Sequence, residues 1–155
     1  MANYLPLVLQ IVPIFGSIYF AVLVLAFLWL KRDKKLALNF IIAFILTNAI
    51  TYGLKFLFQI PRPSQTLPAP FYDTSFPSGH AGRAFLYMTF LSQKFDRAFM
   101  IVSYILAALV AISRVQSGEH TVFDVLVGSA IGFGVSIFFV KYSDKIYKMI
   151  SRIFP

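Results

Sequence analysis

The sequence contains no cysteine among its 155 residues, which excludes a disulfide framework, a zinc–thiolate site and a thiol nucleophile. Acidic side chains are also scarce, since six Asp and Glu residues stand against fourteen Lys and Arg residues. No two of these carboxylates are spaced to hold a two-metal centre, so we predict chemistry that uses neither a metal nor another cofactor. Charged residues of both signs make up only 13% of the chain, which is too few for an ordinary soluble domain.

Apolar residues make up 59% of the chain, which is typical of a polypeptide that is surrounded by lipid. We therefore predict an all-α fold class: a polytopic membrane helix bundle of about five transmembrane helices, forming one domain over residues 1–155. The predicted segments are Leu7–Leu30, Leu36–Leu57, Gly79–Ser92, Ala98–Ser113 and Thr121–Val140. The third and fourth are shorter than the ~20 residues that cross a bilayer. Pro13 is expected to divide the first segment into a short surface helix and a span.

The basic residues predict the orientation of this bundle. Ten of the fourteen follow the first, third and fifth segments: Lys31, Arg32, Lys34, Lys35, Lys94, Arg97, Lys141, Lys145, Lys148 and Arg152. The positive-inside rule places that side in the cytoplasm, with the C-terminus inside and the N-terminus outside. The four remaining cations fall toward the outer side: Lys55, Arg62, Arg83 and Arg114. Because a charge within a span costs about 2.5–3.5 kcal/mol, their clustering predicts an anion site on the outer face.

The stretch Ser113–Asp124 connects the fourth and fifth segments and contains one of the two histidines of the chain. His120 and Asp124 are four residues apart, which places both side chains on one face of a helix. A carboxylate in that position can hold one imidazole nitrogen and leave the other free as a nucleophile or base. For this pair alone, the alternative is a loop histidine beside a helix-capping aspartate. Ser113 and Glu119 are interpreted as caps.

Two further groups of residues have the same character. Lys55 lies at the end of the second segment and Arg62 follows it, and the alternative for Lys55 is a lysine anchored at the lipid interface. Pro77–His80 spans the start of the third segment, where Gly79 and its neighbours offer backbone N–H groups and a positive helix end to an anion. A plain N-cap by Ser78 is the alternative there. Arg83 follows His80 by three residues, shares its face and could reach a head group or a carboxylate.

The three groups together resemble a known family signature. Lys-x6-Arg-Pro begins at Lys55, Pro-Ser-Gly-His begins at Pro77, and Ser-Arg-x5-His-x3-Asp begins at Ser113. All three motifs resemble those of the type 2 phosphatidic acid phosphatase superfamily, which includes membrane lipid phosphatases and, more distantly, soluble vanadium haloperoxidases. The chain is most similar to its bacterial lipid A 1-phosphatase and phosphatidylglycerophosphate phosphatase members. Family members usually have six spans, one more than is predicted here.

The resemblance implies roles for individual residues. His120 would attack phosphorus and form a phosphohistidine, Asp124 would orient it, and His80 would protonate the leaving group and then activate water. The residues implied to hold the phosphate oxygens are Lys55, Arg62, Ser78, Gly79 and Arg114.

The implied activity is that of a lipid phosphatase in the bacterial inner membrane, with its active site facing the periplasm. Expected substrates are lipid A 1-phosphate, phosphatidylglycerol phosphate or undecaprenyl pyrophosphate, and the product is orthophosphate. Two alternatives stay open, namely a haloperoxidase-like enzyme that binds vanadate and a non-catalytic membrane protein that binds phospholipid.

Two features outside the motifs also carry predictions. Gly128 and Gly132 permit close helix contact, which we interpret as packing within the bundle rather than as a dimer seam. The tail, residues 141–155, is expected to form an amphipathic helix on the anionic cytoplasmic leaflet. The positive charge of the chain therefore predicts the lipid bilayer and a membrane lipid phosphate as partners, and no nucleic acid. The sequence predicts no particular oligomeric state.

Overall fold

The computed structural model describes residues 10–65 and 70–153. Within that part the protein is all-helical and has no strand. The six α-helices are α1 (Ile18–Leu30), α2 (Lys34–Phe58), α3 (Gly79–Ser92), α4 (Arg97–Gln116), α5 (Val122–Lys141) and α6 (Ser143–Ile153). Two short 3₁₀ helices, Val12–Gly16 and Phe71–Asp73, precede α1 and α3. The predicted start of the first segment at Leu7 lies outside the described residues.

The helices begin where the sequence provides a side-chain oxygen to accept a free N–H group. Each of α1 to α5 has such a cap, formed in chain order by Ser17, Asp33, Ser78, Asp96 and Thr121. The segments predicted from Leu36 onwards match α2 to α5 within three residues at each end, and α3 matches at both ends. Pro13 lies in the 3₁₀ helix before α1, and the break between the two helices falls at Ser17. The division of the first segment into a surface helix and a span stays a prediction.

Helix α3 lies at the centre of the bundle, because ten of its fourteen residues are buried. Its aromatic side chains form the core with those of α2. The Phe40 ring lies edge-on to Phe90 at 5.4 Å between centroids and tilted against Tyr87 at 5.9 Å. Rings at such distances add about 0.5–1.5 kcal/mol per pair to the burial of apolar area. The helix that begins with Gly79 and His80 is therefore held firmly by its own buried side chains.

The closest contact between helices joins α3 to α5 through glycines. A Cβ atom added to Gly128 would meet the backbone of Ser78, and one added to Gly132 would meet the backbone of Gly82. Only residues without a side chain allow backbones to approach so closely. The interpretation of Gly128 and Gly132 as packing positions within the bundle is confirmed.

Large apolar side chains cover the outside of the bundle. Val22 and Leu23 in α1, Ile105 in α4 and Leu126 in α5 are all more than half exposed. Three helices, α2, α4 and α5, are long and apolar enough to cross a membrane. Helices α1 and α3 have 13 and 14 residues, fewer than the ~20 that a single straight span requires. The predicted multi-pass helical membrane protein is thus confirmed with three candidate spans, and the count of five is not reached by helix length alone.

The two ends of the bundle differ in their charges. At one end, ion pairs join Lys94 to Asp33 and Lys35 to Asp144, the latter at 2.7 Å. These contacts bring together the α1–α2 turn, the α3–α4 turn and the start of α6. The other end carries the last turns of α2 and α4 and the first turns of α3 and α5. All three sequence motifs lie at that second end.

Candidate active site

A cavity of about 370 Å³ opens at the end of the bundle where α2 and α4 finish and α3 and α5 begin. Its lining residues are Ser17, Ile18, Tyr19, Thr51, Tyr52, Lys55, Arg62, Tyr72, Gly79, His80, Arg83 and His120. Six of the nine residues singled out from the sequence therefore line one cavity, although they come from separate parts of the chain. The other three, Ser78, Arg114 and Asp124, are not among its lining residues.

Lys55 and Arg62 bring two positive charges to the cavity from the end of α2 and the loop after it. Lys55 is only 5% exposed, and its ammonium group donates a hydrogen bond to the Thr74 carbonyl. A lysine anchored at the lipid interface would keep this group exposed, so that alternative is wrong. Arg62 donates from Nε to the Asp73 carbonyl at 2.8 Å and pairs with the Asp73 carboxylate at 2.6 Å.

The segment before α3 brings His80 to the cavity beside the start of α5. The Ser78 hydroxyl accepts a hydrogen bond from the Ala81 N–H at 3.5 Å, which confirms the N-cap interpretation. The Ser78 N–H donates to the Asp124 carbonyl at 3.0 Å and so ties the two motifs together. Gly79 and His80 form the first turn of α3, whose N–H groups lack acceptors within the helix. An anion in the cavity would therefore face the positive end of α3.

His120 lies in the short connection between α4 and α5 and is 4% exposed. Its Nδ1 is 3.9 Å from Oδ2 of Asp124 and has no hydrogen-bond partner among the described residues. The Asp124 oxygen accepts instead from the Thr121 N–H at 2.7 Å and from the Ser75 hydroxyl. The two side chains are adjacent as predicted. The predicted contact in which the Asp124 carboxylate holds an imidazole nitrogen of His120 is absent, because the carboxylate completes the capping box of α5.

The surroundings of His120 favour its neutral form. Burial, followed by the positive charges of Lys55 and Arg114, lowers the pKa of His120 to about 3, against the opposing effect of Asp124. At neutral pH the imidazole therefore carries a lone pair that can attack an electrophile.

Arg114 and Glu119 form a second polar layer behind His120. The Glu119 carboxylate contacts the Arg62 guanidinium and lies 3.5 Å from Nη2 of Arg114, so one oxygen bridges two arginines. The Nε atom of Arg114 is buried and has no partner among the described residues. The backbone carbonyl of Arg114 also accepts a hydrogen bond from the backbone N–H of His120 at 3.2 Å. This bond links the arginine to the position of the imidazole.

Three residues in this layer were not assigned to the site from the sequence. Glu119 was interpreted as a cap, whereas it bridges Arg62 and Arg114. Asp73 pairs with Arg62, and Ser75 donates to Asp124. Arg62 and Arg114 need counter-charges, and few carboxylates are available on that side of the chain. This need could have indicated Asp73 and Glu119 from the sequence. No sequence signal distinguishes Ser75 from the other serines of its loop.

Arg83 reaches the cavity from α3, one turn after His80, and is 6% exposed. Its Nε donates to the Gly16 carbonyl at 2.8 Å, and Nη1 donates to Oδ1 of Asn48 at 3.2 Å. The sequence offered a head group or a carboxylate as its partner. No carboxylate pairs with it among residues 10–65 and 70–153.

The side chains of the cavity suit the transfer of an anionic group. In the described ranges, no three His, Asp or Glu side chains lie together as ligands for a metal ion. The two acidic residues in the loops at this end of the bundle, Asp73 and Glu119, are paired with arginines. Two imidazoles with several fixed cations can supply a nucleophile, a proton carrier and charge neutralisation.

Comparisons with known proteins extend these observations. The family model of the PAP2 superfamily matches residues 36–148, a range that contains all three motifs. The chain is 29% identical over 146 residues to a lipid A 4'-phosphatase of Helicobacter pylori, covering 89% of this chain and 69% of that protein. It is 30% identical over 122 residues to an undecaprenyl-diphosphatase of Sulfolobus acidocaldarius, covering 72% of this chain and 57% of that protein.

Two solved structures are similar to the whole bundle. The crystal structure of Aquifex aeolicus LpxE superimposes with a TM-score of 0.77 at 30% identity, covering 90% of this chain and 89% of that one. The crystal structure of a transmembrane PAP2 type phosphatidylglycerolphosphate phosphatase from Bacillus subtilis gives a TM-score of 0.75 at 25% identity, covering 93% and 80%.

Proposed function

Because the chain belongs to the PAP2 superfamily, whose members include membrane lipid phosphatases, we propose that it hydrolyses the phosphomonoester or pyrophosphate head group of an envelope lipid and releases orthophosphate. One observation carries this proposal: His80 and His120 line the same cavity as Lys55 and Arg62. In-line transfer of a phosphoryl group needs a nucleophile and a proton donor around one phosphorus atom, with cations along its sides.

The proposed reaction has two steps. In the first, the neutral His120 imidazole attacks phosphorus, the bond from phosphorus to the leaving oxygen breaks, and His80, which enters the step as imidazolium, gives that oxygen a proton and becomes neutral. The imidazole becomes positive while it carries the phosphoryl group, and the carboxylate of Asp124, 3.9 Å from Nδ1, then stabilises it. In the second step, His80 takes a proton from water, the water oxygen attacks phosphorus, and the bond from phosphorus to nitrogen breaks. Orthophosphate leaves and His120 returns to its neutral form.

The positive groups supply most of the proposed catalysis. Lys55, Arg62 and Arg114, with the N–H of Gly79, neutralise the phosphoryl oxygens as charge spreads over them in the transition state. For Arg62 and Arg114 the phosphate would replace Glu119 as the anionic partner. The Ser78 hydroxyl caps α3 and would have to rotate to contact the phosphate. Fixed cations in a buried cavity can do what a metal ion does in other phosphatases, so we propose turnover without a metal.

The proposed substrates are lipids of the bacterial envelope. Lipid A 1-phosphate, phosphatidylglycerol phosphate and undecaprenyl pyrophosphate each present a terminal phosphate on a membrane-bound body. The names of the relatives indicate the same group of substrates, since they act on lipid A, undecaprenyl diphosphate and phosphatidylglycerolphosphate.

The proposed topology is a single integral-membrane domain with five crossings in the bacterial inner membrane. The 3₁₀ helix Val12–Gly16 and α1 together provide about 30 Å of helix at ~2.0 and ~1.5 Å per residue, which is enough for a crossing. Helix α3 is enclosed by protein and needs to reach only from the cavity to the opposite loops. The basic end of the bundle would face the cytoplasm, and the cavity would face the periplasm.

Phosphate release by the purified protein tests the proposal. The wild type should release orthophosphate from short-chain phosphatidic acid in detergent, whereas His120→Ala should release none above background. Brief exposure of the wild type to labelled substrate should leave an acid-labile phosphate on the protein, which His120→Ala should lack. Asp144→Asn, at the opposite end of the bundle, is the matched control and should keep its rate. Equal rates for His120→Ala and the wild type would refute the assignment.

A further inference from the structure

Arg83 is a buried cation that is not among the residues proposed above to hold the phosphate oxygens. It lines the cavity one turn after His80, yet none of the ion pairs in the described part of the chain includes it. A guanidinium within a membrane bundle is costly, and such a charge usually pairs with a counter-charge or serves a ligand. Residues 10–65 and 70–153 supply no counter-charge for Arg83, and an anionic ligand would provide one.

The partners of Arg83 are neutral and leave part of its guanidinium free. The Gly16 carbonyl and Oδ1 of Asn48 accept two of its N–H groups, and the Tyr52 side chain interacts with it as well. A guanidinium has more N–H groups than these partners use, and they lie in a planar fork that matches phosphate oxygens. These contacts fix the arginine at the cavity wall without neutralising its charge.

The first turn of α1 lies beside Arg83, because the carbonyl that Arg83 binds belongs to Gly16, two residues before that helix begins. Ser17, Ile18 and Tyr19 line the cavity. The Ser17 hydroxyl accepts the N–H of Phe20, but the preceding N–H groups of the turn have no acceptor within the helix. The positive end of a thirteen-residue helix therefore adds to the charge of Arg83.

The cavity is also larger than one phosphate requires. Its volume of about 370 Å³ lies in the range of pockets that hold small molecules larger than a single phosphate. Lys55, Arg62 and His120 line this cavity, and Arg83 with the start of α1 lines it as well. The positive charge around the cavity therefore exceeds that of the residues proposed to hold one phosphate and fits a ligand with two neighbouring anionic groups.

We infer that Arg83 and the first turn of α1 bind a second phosphoryl group of the substrate, so that the enzyme prefers a lipid diphosphate to a lipid monophosphate. This inference rests on the proposed function. In that reaction His120 attacks the terminal phosphorus, the bond to the bridging oxygen breaks, and His80 protonates the departing lipid monophosphate. Water then cleaves the phosphohistidine to orthophosphate. Arg83 stabilises the leaving phosphate, which is why its effect depends on the substrate.

The test compares two substrates that share one chain, farnesyl phosphate and farnesyl diphosphate, with the full-length purified protein in detergent. The wild type should show the higher kcat/KM for the diphosphate. Arg83→Gln should lower kcat/KM for the diphosphate about 10- to 100-fold more than for the monophosphate. Arg83→Lys keeps the positive charge and loses the planar fork of N–H groups. Its ratio of kcat/KM values for the two substrates should lie between those of the wild type and Arg83→Gln. Asp144→Asn, at the opposite end of the bundle, is the control and should keep the wild-type ratio between the substrates.

Binding of inorganic pyrophosphate gives a second readout that does not need turnover. Its Kd, measured by calorimetry, should be lower than that of orthophosphate for the wild type, and Arg83→Gln should remove this difference. Equal losses on both substrates, with an unchanged ratio of the two Kd values, would show that Arg83 only supports packing and would overturn the inference. If the wild type hydrolyses neither lipid, the proposed function fails, and the Kd ratio still decides whether a second anion subsite exists.

Discussion

Gly128→Ala tests whether contact between the backbones of α3 and α5 positions the catalytic groups. A Cβ at this position would lie 3.1 Å from the Ser78 carbonyl carbon and 3.2 Å from the Ser78 nitrogen, and closer still to the carbonyl oxygen. All of these atoms belong to backbone and cannot rotate away. Helix α3 would have to retreat from α5 by on the order of 1 Å to restore ordinary van der Waals contact. This movement would carry His80 away from His120.

Two effects determine the expected stability of Gly128→Ala. Overpacking costs about 1–3 kcal/mol, whereas replacing glycine by alanine inside a helix gains about 0.5–1 kcal/mol. The free energy of unfolding should therefore fall by about 1–2 kcal/mol. The rate should fall more steeply, since a displacement of about 1 Å in the reacting groups can cost on the order of 10²-fold in kcat.

Gly134→Ala is the matched control, because it lies in the same helix and an added Cβ there meets nothing within 4 Å. Phosphate release from short-chain phosphatidic acid and thermal unfolding in detergent should be measured for both variants. The control should match the wild-type rate and unfold at the same temperature or slightly above it. If Gly128→Ala kept the rate and stability of Gly134→Ala, the positioning of His80 by the glycine contact would be refuted.

Three further predictions concern the site itself. Arg114→Ala should lower kcat on the order of 10²–10³-fold, as expected for loss of one charge-stabilising donor; a rate within threefold of the wild type would exclude a role in the transition state. Because the pKa of folded His120 is about 3, the unfolded chain binds the extra proton first. The stability contributed by this group is therefore present above about pH 6.5 and falls as the pH drops toward 3, by up to about 1.4 kcal/mol per pH unit. Denaturant titrations from pH 7 to 4 should show a shallower fall for His120→Gln than for the wild type, and equal slopes would contradict the buried neutral imidazole. Prolonged dialysis against EDTA should leave the rate unchanged, whereas a loss that Mg²⁺ or Zn²⁺ restores would contradict turnover without a metal.

Much of the fold could be predicted because its elements are local. Capping residues such as Ser78 and Thr121 begin helices through bonds to N–H groups three residues ahead, so the sequence alone indicates those boundaries. The number of crossings was harder to predict, because apolar composition does not distinguish a helix that faces lipid from one that is enclosed by protein. Helix α3 is enclosed in this way, and its fourteen residues do not need the length of an ordinary span.

The site could be predicted as a set of residues, and its internal contacts could not. The spacing between His120 and Asp124 predicted that they are neighbours, but the carboxylate also has a capping role, and only the geometry shows that it takes the bonds of Thr121 and Ser75. The bridging role of Glu119 was missed for a related reason, since one of its two partners, Arg62, comes from a distant part of the chain. Such pairings depend on how helices pack, which no local pattern specifies.

The residues proposed to hold the phosphate oxygens come together only when the end of α2, the start of α3 and the connection before α5 are all in place. On the proposed assignment, an inert phosphate mimic such as orthovanadate would bind the folded protein and ignore chains in which any of these parts is displaced. At ten times its Kd, such a ligand would add about 1.4 kcal/mol to the free energy of unfolding. It would therefore act as a chemical chaperone, and its presence during extraction from the membrane should raise the yield of correctly folded protein.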